Sequence, residues 1–468
     1  MAALSFDHNI FIEGPSFHVD LAPLDGRHLE HYSCRLLIFR CTDSAQRDAQ
    51  LAAFKVGLQA LVSQCPILGG KVVPLPPDQA SHGKEDWRTI VPDKGIELLV
   101  RDLRGKIRSF EELEAGNFST LHLPEELLMP IPQSPESPSA ACKAQYTAIE
   151  GGTIISFTIS HHLADGSGTD ELMRILSEET RLAPNSNTTN QPRGQRKLGL
   201  DRSLLRDTTS YKPFNIEEHP AFRIESSTPA TTETEVDRAT RSFEASSPET
   251  PIILRIPPAG LALLKADATR PEAPPISTHD ALSALIWRTV MLIRSRRSAR
   301  DTPLSTASKI FMPSDCRRHL NLPTSYIGNA VYQLTADLDL EKLLSPSGLQ
   351  YAASSLRRAI TAVNPEIVAS YMTKLKETWI GWGFMVGTST IAVAMGTDWT
   401  SSSLYSDDWG EAFGKVVRFR YPGTIGEAFN CVYPKLPDGS AEVMVGVMPE
   451  EVDALKGPEG FGKYLEAR

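Results

Sequence analysis

A histidine and an aspartate stand four residues apart in the stretch Ser160–Gly166, where one sequence pattern ends and another begins. A histidine side chain titrates near neutral pH, which suits a general base that takes a proton from an attacking hydroxyl or amine. We therefore take His161 as the candidate base. Asp165 suggests a triad, but it lies across a tight turn and need not face the imidazole. On its own the pattern is short, and a structural role for the histidine is the more common outcome.

Two predicted elements would hold His161 in place. Residues 155–160 alternate between apolar and hydroxyl side chains after a pair of glycines, which predicts the return strand of a hairpin. Apolar residues then recur at helical spacing from Leu172, with Thr169 as the predicted N-cap. The histidine is thus expected between a strand and a helix, anchored on both sides.

A second informative stretch lies near the C-terminus, where a Trp and a Tyr precede the block Asp408-Trp409-Gly410. This run resembles the second signature of the BAHD acyltransferase superfamily, in which a Trp and a Tyr precede Asp-Phe-Gly-Trp-Gly. The stretch around His161 resembles the His-x-x-x-Asp signature of the same family. The two signatures stand in the family's order.

Further blocks match the family in the same order, so the resemblance extends over nearly the whole chain. They are Leu21–Asp25, Cys65–Lys71, Ser277–Arg288 and Asp315–Asn329. Trp409 stands where plant members usually have Phe, and residues 411–415 replace their immediate Trp-Gly. The chain is therefore more similar to fungal members such as the trichothecene acetyltransferases, and secondary metabolism is the expected setting.

The resemblance implies an α/β (α+β) fold with two chloramphenicol-acetyltransferase-like domains, each a mixed β-sheet covered by helices, and an active-site channel between them. A length of 468 residues also favours two domains. The expected N-terminal domain, residues 1–190, carries the histidine signature, and the expected C-terminal domain, residues 251–468, carries the Asp-Trp-Gly block. Residues 191–250 are rich in Pro, Ser, Thr and Asn and are predicted to link the two domains.

The resemblance also implies an activity, the transfer of an acyl group from an acyl-CoA thioester to a hydroxyl or amine of a small-molecule metabolite. His161 would take the proton of the attacking group and return it to the departing thiolate, so no covalent enzyme intermediate is needed. Acyl-CoA is expected as a co-substrate beside a small-molecule acceptor, with no tightly bound cofactor. Thr397, which stands two residues before a Trp as in the family, and Trp409 are candidates for contacting the oxyanion or the substrate.

The remaining signature residues are expected to be structural. In the family the counterpart of Asp165 points away from the substrate and pairs with an arginine whose position matches Arg317. Gly166 completes the histidine signature. The Asp-Trp-Gly block is expected to shape the cleft rather than take part in the chemistry.

Two other function classes remain open. A condensation-domain-like enzyme would take its acyl group from a carrier protein, and such enzymes share a His-His-x-x-x-Asp-Gly motif. Here the first histidine of the pair, not the second, stands four residues before the aspartate, and the Asp-Trp-Gly block favours the CoA-dependent class. A non-catalytic paralogue that binds a ligand is the other class, and the intact signatures argue against it.

Composition limits the functions that remain. A net charge of −9 disfavours nucleic acid, since its binding needs a basic surface. The six cysteines form no C-x-x-C pair and lack a flanking histidine cluster, so neither a disulfide framework nor a metal site is predicted. The N-terminus lacks a signal-peptide pattern, and no apolar stretch is long enough to span a bilayer. We expect a cytoplasmic monomer that does not contact membranes.

Overall fold

The computed structural model of the protein describes residues 7–26, 31–76, 87–183, 198–206, 211–224, 250–297, 306–377, 380–382, 392–422 and 429–465. Their strands are β1 His8–Ile12, β2 Tyr32–Arg40, β3 Gly70–Pro74, β4 Arg88–Pro92, β5 Ile96–Asp102, β6 Ser139–Ala140, β7 Cys142–Ile149, β8 Gly152–Ser160, β9 Phe222–Ile224, β10 Thr250–Ile256, β11 Ala307–Asp315, β12 Val331–Asp339, β13 Ile380–Trp382, β14 Ala392–Asp398, β15 Arg418–Arg420, β16 Phe429–Val432 and β17 Ala441–Val447. Their α-helices are α1 Pro23–Gly26, α2 Ser44–Gln64, α3 Phe110–Ala115, α4 Glu125–Leu128, α5 Gly166–Leu182, α6 Pro258–Ala268, α7 Thr278–Arg297, α8 Leu340–Leu344, α9 Gly348–Ala362, α10 Pro365–Glu377, α11 Val452–Lys456 and α12 Gly462–Leu465.

The first large sheet has the strand order β1-β5-β7-β8-β2-β15. β7 and β8 form the predicted hairpin. β8 is buried along its whole length, including the hydroxyl side chains of Ser156, Thr158 and Ser160. Separate hydrophobic clusters cover its two faces, one containing Ile155 and the other Ile154. The alternating pattern therefore distinguishes two buried faces of one strand.

The second large sheet has the strand order β10-β17-β16-β14-β11-β12. β14 runs parallel to both β11 and β16, whereas β11 and β12 are antiparallel. Trp287 of α7 is fully buried against this sheet and donates from Nε1 to the Ser308 hydroxyl at 2.8 Å. The first sheet also contains a parallel pair, β5 and β7, and shares its core with α2 and α5. Two mixed sheets covered by helices confirm the expected fold class.

The two halves of the chain exchange segments. β15, from the second half, pairs with β2, and the segment 399–421 contributes Trp399, Trp409 and Phe419 to the core of the first sheet. In return Ala22 and Leu24, at the start of the chain, lie in the core of the second sheet. The expectation that residues 251–468 pack as one C-terminal domain is therefore incomplete, because one of its strands completes the first sheet.

A buried arginine fixes this exchange. Arg420 of β15 is fully buried and forms an ion pair with Glu442 of β17 at 2.8 Å. It also donates to the backbone carbonyl of Phe118 at 2.6 Å. One guanidinium thus joins a strand of each sheet to a loop of the first half.

The helix after the histidine turn begins earlier than predicted. α5 starts at Gly166, and its N-cap is Asp165, whose side chain accepts from the Gly168 backbone N–H at 2.8 Å. The prediction of Thr169 as N-cap is wrong, because an aspartate one turn earlier already satisfies a free N–H of the first turn. In the predicted linker, residues 191–197, 207–210 and 225–249 lie outside the described residues. Among the residues that are described, no helix has both the length and the apolar composition that a bilayer crossing requires.

Candidate active site

His161 lies directly after β8, in the turn that leads into α5. Its backbone N–H donates to the carbonyl oxygen of His31 at 2.9 Å. Its ring Nδ1 lies 3.0 Å from Oδ1 of Asn329, which comes from the loop before β12. The first half of the chain therefore holds the backbone N–H of this residue, and the second half holds its imidazole.

The hydrogen bonds of Asn329 determine which nitrogen of the His161 ring carries the proton. The side-chain nitrogen of Asn329 lies 2.7 Å from the His161 carbonyl oxygen and 2.9 Å from Oδ1 of Asp25. Both partners accept, so this end of the amide is the NH2 group and the other end is its oxygen. The amide oxygen can only accept, so Nδ1 donates to it. In the neutral ring Nε2 then holds the lone pair that a base uses.

A buried ion pair supports Asn329 from behind. Asp25 accepts from the Asn329 backbone N–H at 2.8 Å as well as from its side chain. The second carboxylate oxygen of Asp25 lies 3.0 Å from Nε of Arg202, which in turn donates to the Leu163 carbonyl at 2.8 Å. Burial raises the pKa of Asp25, whereas Arg202 and the Asn329 donors lower it. Because donors surround the carboxyl group, the carboxylate form fits its contacts.

The adjacent histidine has a different environment. The side chain of His162 is fully buried, and its Nδ1 lies 2.8 Å from the backbone carbonyl of Asp25. His161, in contrast, keeps part of its surface exposed. Of the two histidines, the first is therefore the one that a ligand reaches in this conformation.

The surroundings of His161 keep its ring neutral near pH 7. Burial lowers the pKa of the imidazole below its ordinary value, while the charge of Asp165 and the hydrogen bond with Asn329 oppose that shift. A neutral ring is the form that takes up a proton. The site thus holds its candidate base in the reactive protonation state.

Asp165 faces Arg317. Its carboxylate oxygens lie 2.7 and 3.0 Å from Nη2 and Nη1 of the guanidinium, in a bidentate pair whose two side chains are both buried. The carboxylate also accepts from the backbone N–H groups of Gly168 and Ala330, at 2.8 and 2.9 Å. The structure brings together the two residues that the resemblance pairs, and these contacts direct Asp165 away from a triad with His161.

Arg317 also holds the loop that carries Asn329. It donates to the carbonyl of Tyr326 from Nε at 3.0 Å and from Nη2 at 2.9 Å, and to the carbonyl of Gly328 at 3.0 Å. A second ion pair, with Asp315, measures 2.9 Å. One side chain therefore fixes the loop before Asn329 while it pairs with the N-cap of α5.

The two halves of the chain approach each other closely beside this ion pair. A Cβ atom built on Gly168 would lie 2.1 Å from the carbonyl oxygen of Ile327, far inside van der Waals contact. The neighbouring Ser167 hydroxyl donates to Asp315 at 2.7 Å. Only glycine permits this approach of the first turn of α5 to the opposite loop.

Thr397 lies beside the histidine turn. A Cβ atom on Gly166 would stand 3.9 Å from the Thr397 hydroxyl oxygen and 3.6 Å from Nε1 of Trp399. Arg35, which is fully buried, donates to the Gly166 carbonyl at 3.0 Å, and its guanidinium carbon lies 5.1 Å from the centre of the Trp399 ring. The end of β14 is thus packed onto the turn that carries His161.

Trp409, by contrast, lies far from the base. Its ring is fully buried, with its centre 5.5 Å from that of Phe39. Phe39 pairs with Thr153 at the start of β8, whereas His161 follows the other end of that strand. His161 stands eight residues beyond Thr153, which corresponds to roughly 26 Å at about 3.3 Å per residue. This distance argues against the expected contact of Trp409 with the oxyanion or the substrate.

The other two residues of the block are placed for packing. Gly410 has φ of +80°, which favours glycine. A Cβ atom there would also lie 2.9 Å from the Cα of Arg181, near the end of α5. Asp408 is largely exposed, accepts from the Gly410 backbone N–H at 3.0 Å and lies 3.9 Å from the Arg181 guanidinium. The block therefore docks onto the far end of the helix whose beginning carries Asp165.

Several residues that build the site were not identified from the sequence as functional. Asn329 and Asp25 both belong to blocks that resemble the family. A polar residue inside such a block is the sequence feature that could have indicated a role at the site. For His31, Arg202 and Arg35 the sequence offered no comparable signal. Within the described residues, no cluster of three or more His, Cys, Asp or Glu side chains is arranged to hold a metal ion.

Comparison with known families gives one clear match. A sequence model of the Transferase family matches residues 95–456, well over half of the chain.

Individual relatives match over nearly all of this chain. The protein named enoyl-CoA isomerase/hydratase claC, from Penicillium crustosum, is 30% identical over 98% of the chain, but the chain spans only 52% of that longer protein. O-acyltransferase pigD from Monascus ruber is 26% identical over 94% of the chain and 96% of its own length. O-acetyltransferase epaC from Aspergillus niger is 25% identical, with 94% of each protein covered.

Solved structures share the fold. F. graminearum TRI101, in complex with coenzyme A and deoxynivalenol, has a TM-score of 0.80 at 20% identity, covering 96% of this chain and 99% of that one. Vinorine synthase has a TM-score of 0.60 at 15% identity, with 96% of both chains covered.

Proposed function

Because this chain belongs to the Transferase family, that of the BAHD acyltransferases, we propose that it moves an acyl group from an acyl-CoA thioester to a hydroxyl or amine of a small-molecule secondary metabolite. The observation that carries the proposal is the Asn329 amide, whose orientation leaves the lone pair of His161 on Nε2. The names of two relatives, an O-acyltransferase and an O-acetyltransferase, favour oxygen as the acceptor atom. Coenzyme A in the TRI101 complex supports a CoA thioester as donor.

The proposed reaction needs one base and no covalent enzyme intermediate. Nε2 of His161 takes the acceptor's proton as the acceptor oxygen or nitrogen attacks the thioester carbon, and the carbonyl electrons move onto oxygen. The tetrahedral intermediate collapses by breaking the C–S bond. Nε2–H returns the proton to the departing thiolate, which leaves the acylated acceptor, free CoA and a neutral imidazole.

Groups that are already in place can stabilise the two charges that form in the reaction, on the protonated imidazole and on the oxyanion. While His161 is protonated, Asn329 Oδ1 continues to accept from Nδ1–H, and the nearby Asp165 carboxylate favours the positive charge. For the oxyanion we propose the Thr397 hydroxyl, whose oxygen would lie 3.9 Å from a Cβ atom on Gly166 in the histidine turn.

Incubation of the full chain with a panel of acyl-CoA thioesters and candidate alcohols tests the proposal. Free thiol and product mass report the reaction, and we expect acceptor-dependent CoA release with a product heavier by one acyl group and no requirement for a carrier protein. Transfer that occurs only from a loaded carrier protein would replace this proposal with the condensation-like function. Addition of water to an enoyl-CoA without acyl transfer would instead favour the chemistry in the name of the Penicillium relative.

We expect Asn329→Ala to lower kcat by roughly 10- to 100-fold while the KM for acyl-CoA changes little. Without the amide oxygen, His161 populates both tautomers and its ring is free to turn. Steady-state kinetics beside a melting curve check this, with Asn9→Ala as a matched control, because Asn9 is exposed. An unchanged kcat in the folded Asn329→Ala variant would remove Asn329 from its positioning role.

A further inference from the structure

We infer that a second histidine, His31, positions the acceptor beside the base, an inference that rests on the proposed function. His31 lies directly before β2, the strand that pairs with β8, and His161 directly follows β8. Its carbonyl oxygen accepts the backbone N–H of His161. The two residues are therefore coupled through the backbone as well as through their rings.

The two rings are neighbours. Their centres lie 6.3 Å apart with the planes inclined at 44°. At this separation even the nearest ring nitrogens stay beyond the roughly 3.5 Å limit of a hydrogen bond. In the inferred arrangement the acceptor hydroxyl oxygen lies between the rings and contacts a nitrogen of each. A substrate hydroxyl that gives its proton to His161 must occupy space of this kind.

A tyrosine from the exchanged segment fixes the His31 ring. Its Nε2 lies 3.1 Å from the Tyr421 hydroxyl oxygen, and the Gln133 side-chain nitrogen lies 3.5 Å from the same oxygen. Burial raises the pKa of Tyr421, so the hydroxyl keeps its proton. We take this hydroxyl as the donor to Nε2 of His31, and the Gln133 amide donates to the same oxygen.

The protonation state of His31 then suits a neutral donor. Burial and the neighbouring His161 lower its pKa to about 4, so the ring is uncharged at pH 7. With Nε2 accepting from Tyr421, the ring proton lies on Nδ1. A neutral N–H donor orients the acceptor oxygen, whose own proton then points to Nε2 of His161. His31 also adds no positive charge that would oppose protonation of the base.

Kinetics of His31→Phe and His31→Gln test this role. The phenylalanine keeps the ring shape and removes the donor, and we expect the acceptor KM to rise, or kcat/KM for the acceptor to fall, by roughly 3- to 10-fold. The KM for acyl-CoA should stay within about twofold, because only the acceptor loses a contact. The glutamine carries an amide N–H and should recover most of the loss. His18→Phe is the matched control, since His18 is exposed.

The outcomes separate this inference from the proposed function. Unchanged acceptor kinetics in His31→Phe, with an active wild type, overturn the role of His31 and leave the acyl transfer standing. Equal losses for both substrates with a lowered melting temperature, and no recovery in His31→Gln, show a purely structural role and also overturn it. A wild type that acylates no acceptor overturns the proposed function itself.

Discussion

Replacing His161 with alanine is expected to lower turnover by about 10²- to 10⁴-fold while the protein stays folded, because general-base catalysis contributes a factor of this size. The imidazole is partly exposed and its hydrogen bond with Asn329 joins the two halves of the chain, so we expect its loss to leave both sheets formed. Initial rates at saturating acyl-CoA and acceptor, normalised to folded protein, measure the effect. Circular dichroism and melting verify the fold.

His162→Ala is the comparison variant, because the two histidines are adjacent and differ in exposure. His162 is fully buried and contacts the Asp25 carbonyl, so its loss should lower the melting temperature more than that of His161→Ala. Its turnover per folded molecule should fall much less. Comparable turnover losses in both variants, with both folded, would show that the base is misassigned.

The pH profile of the wild type checks the same assignment. Only the neutral form of His161 accepts a proton, so kcat/KM should be constant above its pKa and fall about tenfold per pH unit below it. Burial lowers this pKa from 6.5, so the midpoint should lie on the acid side of that value. A midpoint above 6.5, with an acceptor that does not itself titrate, would contradict the environment described for the imidazole.

Local patterns in the sequence were sufficient for the elements next to the base. Alternation and a pair of glycines predicted the β7–β8 hairpin, and helical spacing predicted α5, because neighbouring residues determine both. The cap of α5 lies one turn before the predicted Thr169, because Asp165 both pairs with Arg317 and caps the helix, and the helical spacing of the apolar residues marks only the body of the helix. The exchange of β15 into the first sheet had no local signal, because β15 is only three residues long and pairs with β2 across nearly the whole chain.

The partners of the base also lie too far apart in the sequence for a local pattern to predict their contacts. Asn329 stands 168 residues beyond His161, and its role depends on an amide orientation that Asp25, near the start of the chain, determines. No periodicity connects three such distant positions. The position of Trp409 argues against the role suggested for it, because residues of one family signature need not all lie at the active site. Its block and the histidine turn lie at opposite ends of the same strand and helix.

The ion pair between Asp165 and Arg317 should make the largest contribution of any single contact at the site to stability. We expect Asp165→Ala or Arg317→Ala alone to destabilise the fold by roughly 3–5 kcal/mol. Arg317→Ala leaves the Asp165 carboxylate buried without its partner, and Asp165→Ala leaves the buried guanidinium with only the half-exposed Asp315 as a counter-charge. Asp165→Ala also removes the cap of α5, which adds about 1 kcal/mol. Denaturant unfolding of both single variants and of the double variant measures the coupling.

The double variant should be more stable than the sum of the single losses predicts, by about 0.5–3 kcal/mol, because neither charge then remains unpaired. The matched control is the bidentate pair of Arg40 and Glu114, which is exposed and whose removal should cost about 1 kcal/mol or less. Strict additivity at Asp165 and Arg317 would mean that the two residues do not interact.

The variant Asp165→Asn separates structure from chemistry, because asparagine retains the cap and loses the charge. If that variant were stable but lost turnover as completely as His161→Ala, Asp165 would belong to a catalytic triad rather than to the ion pair that holds the two loops together.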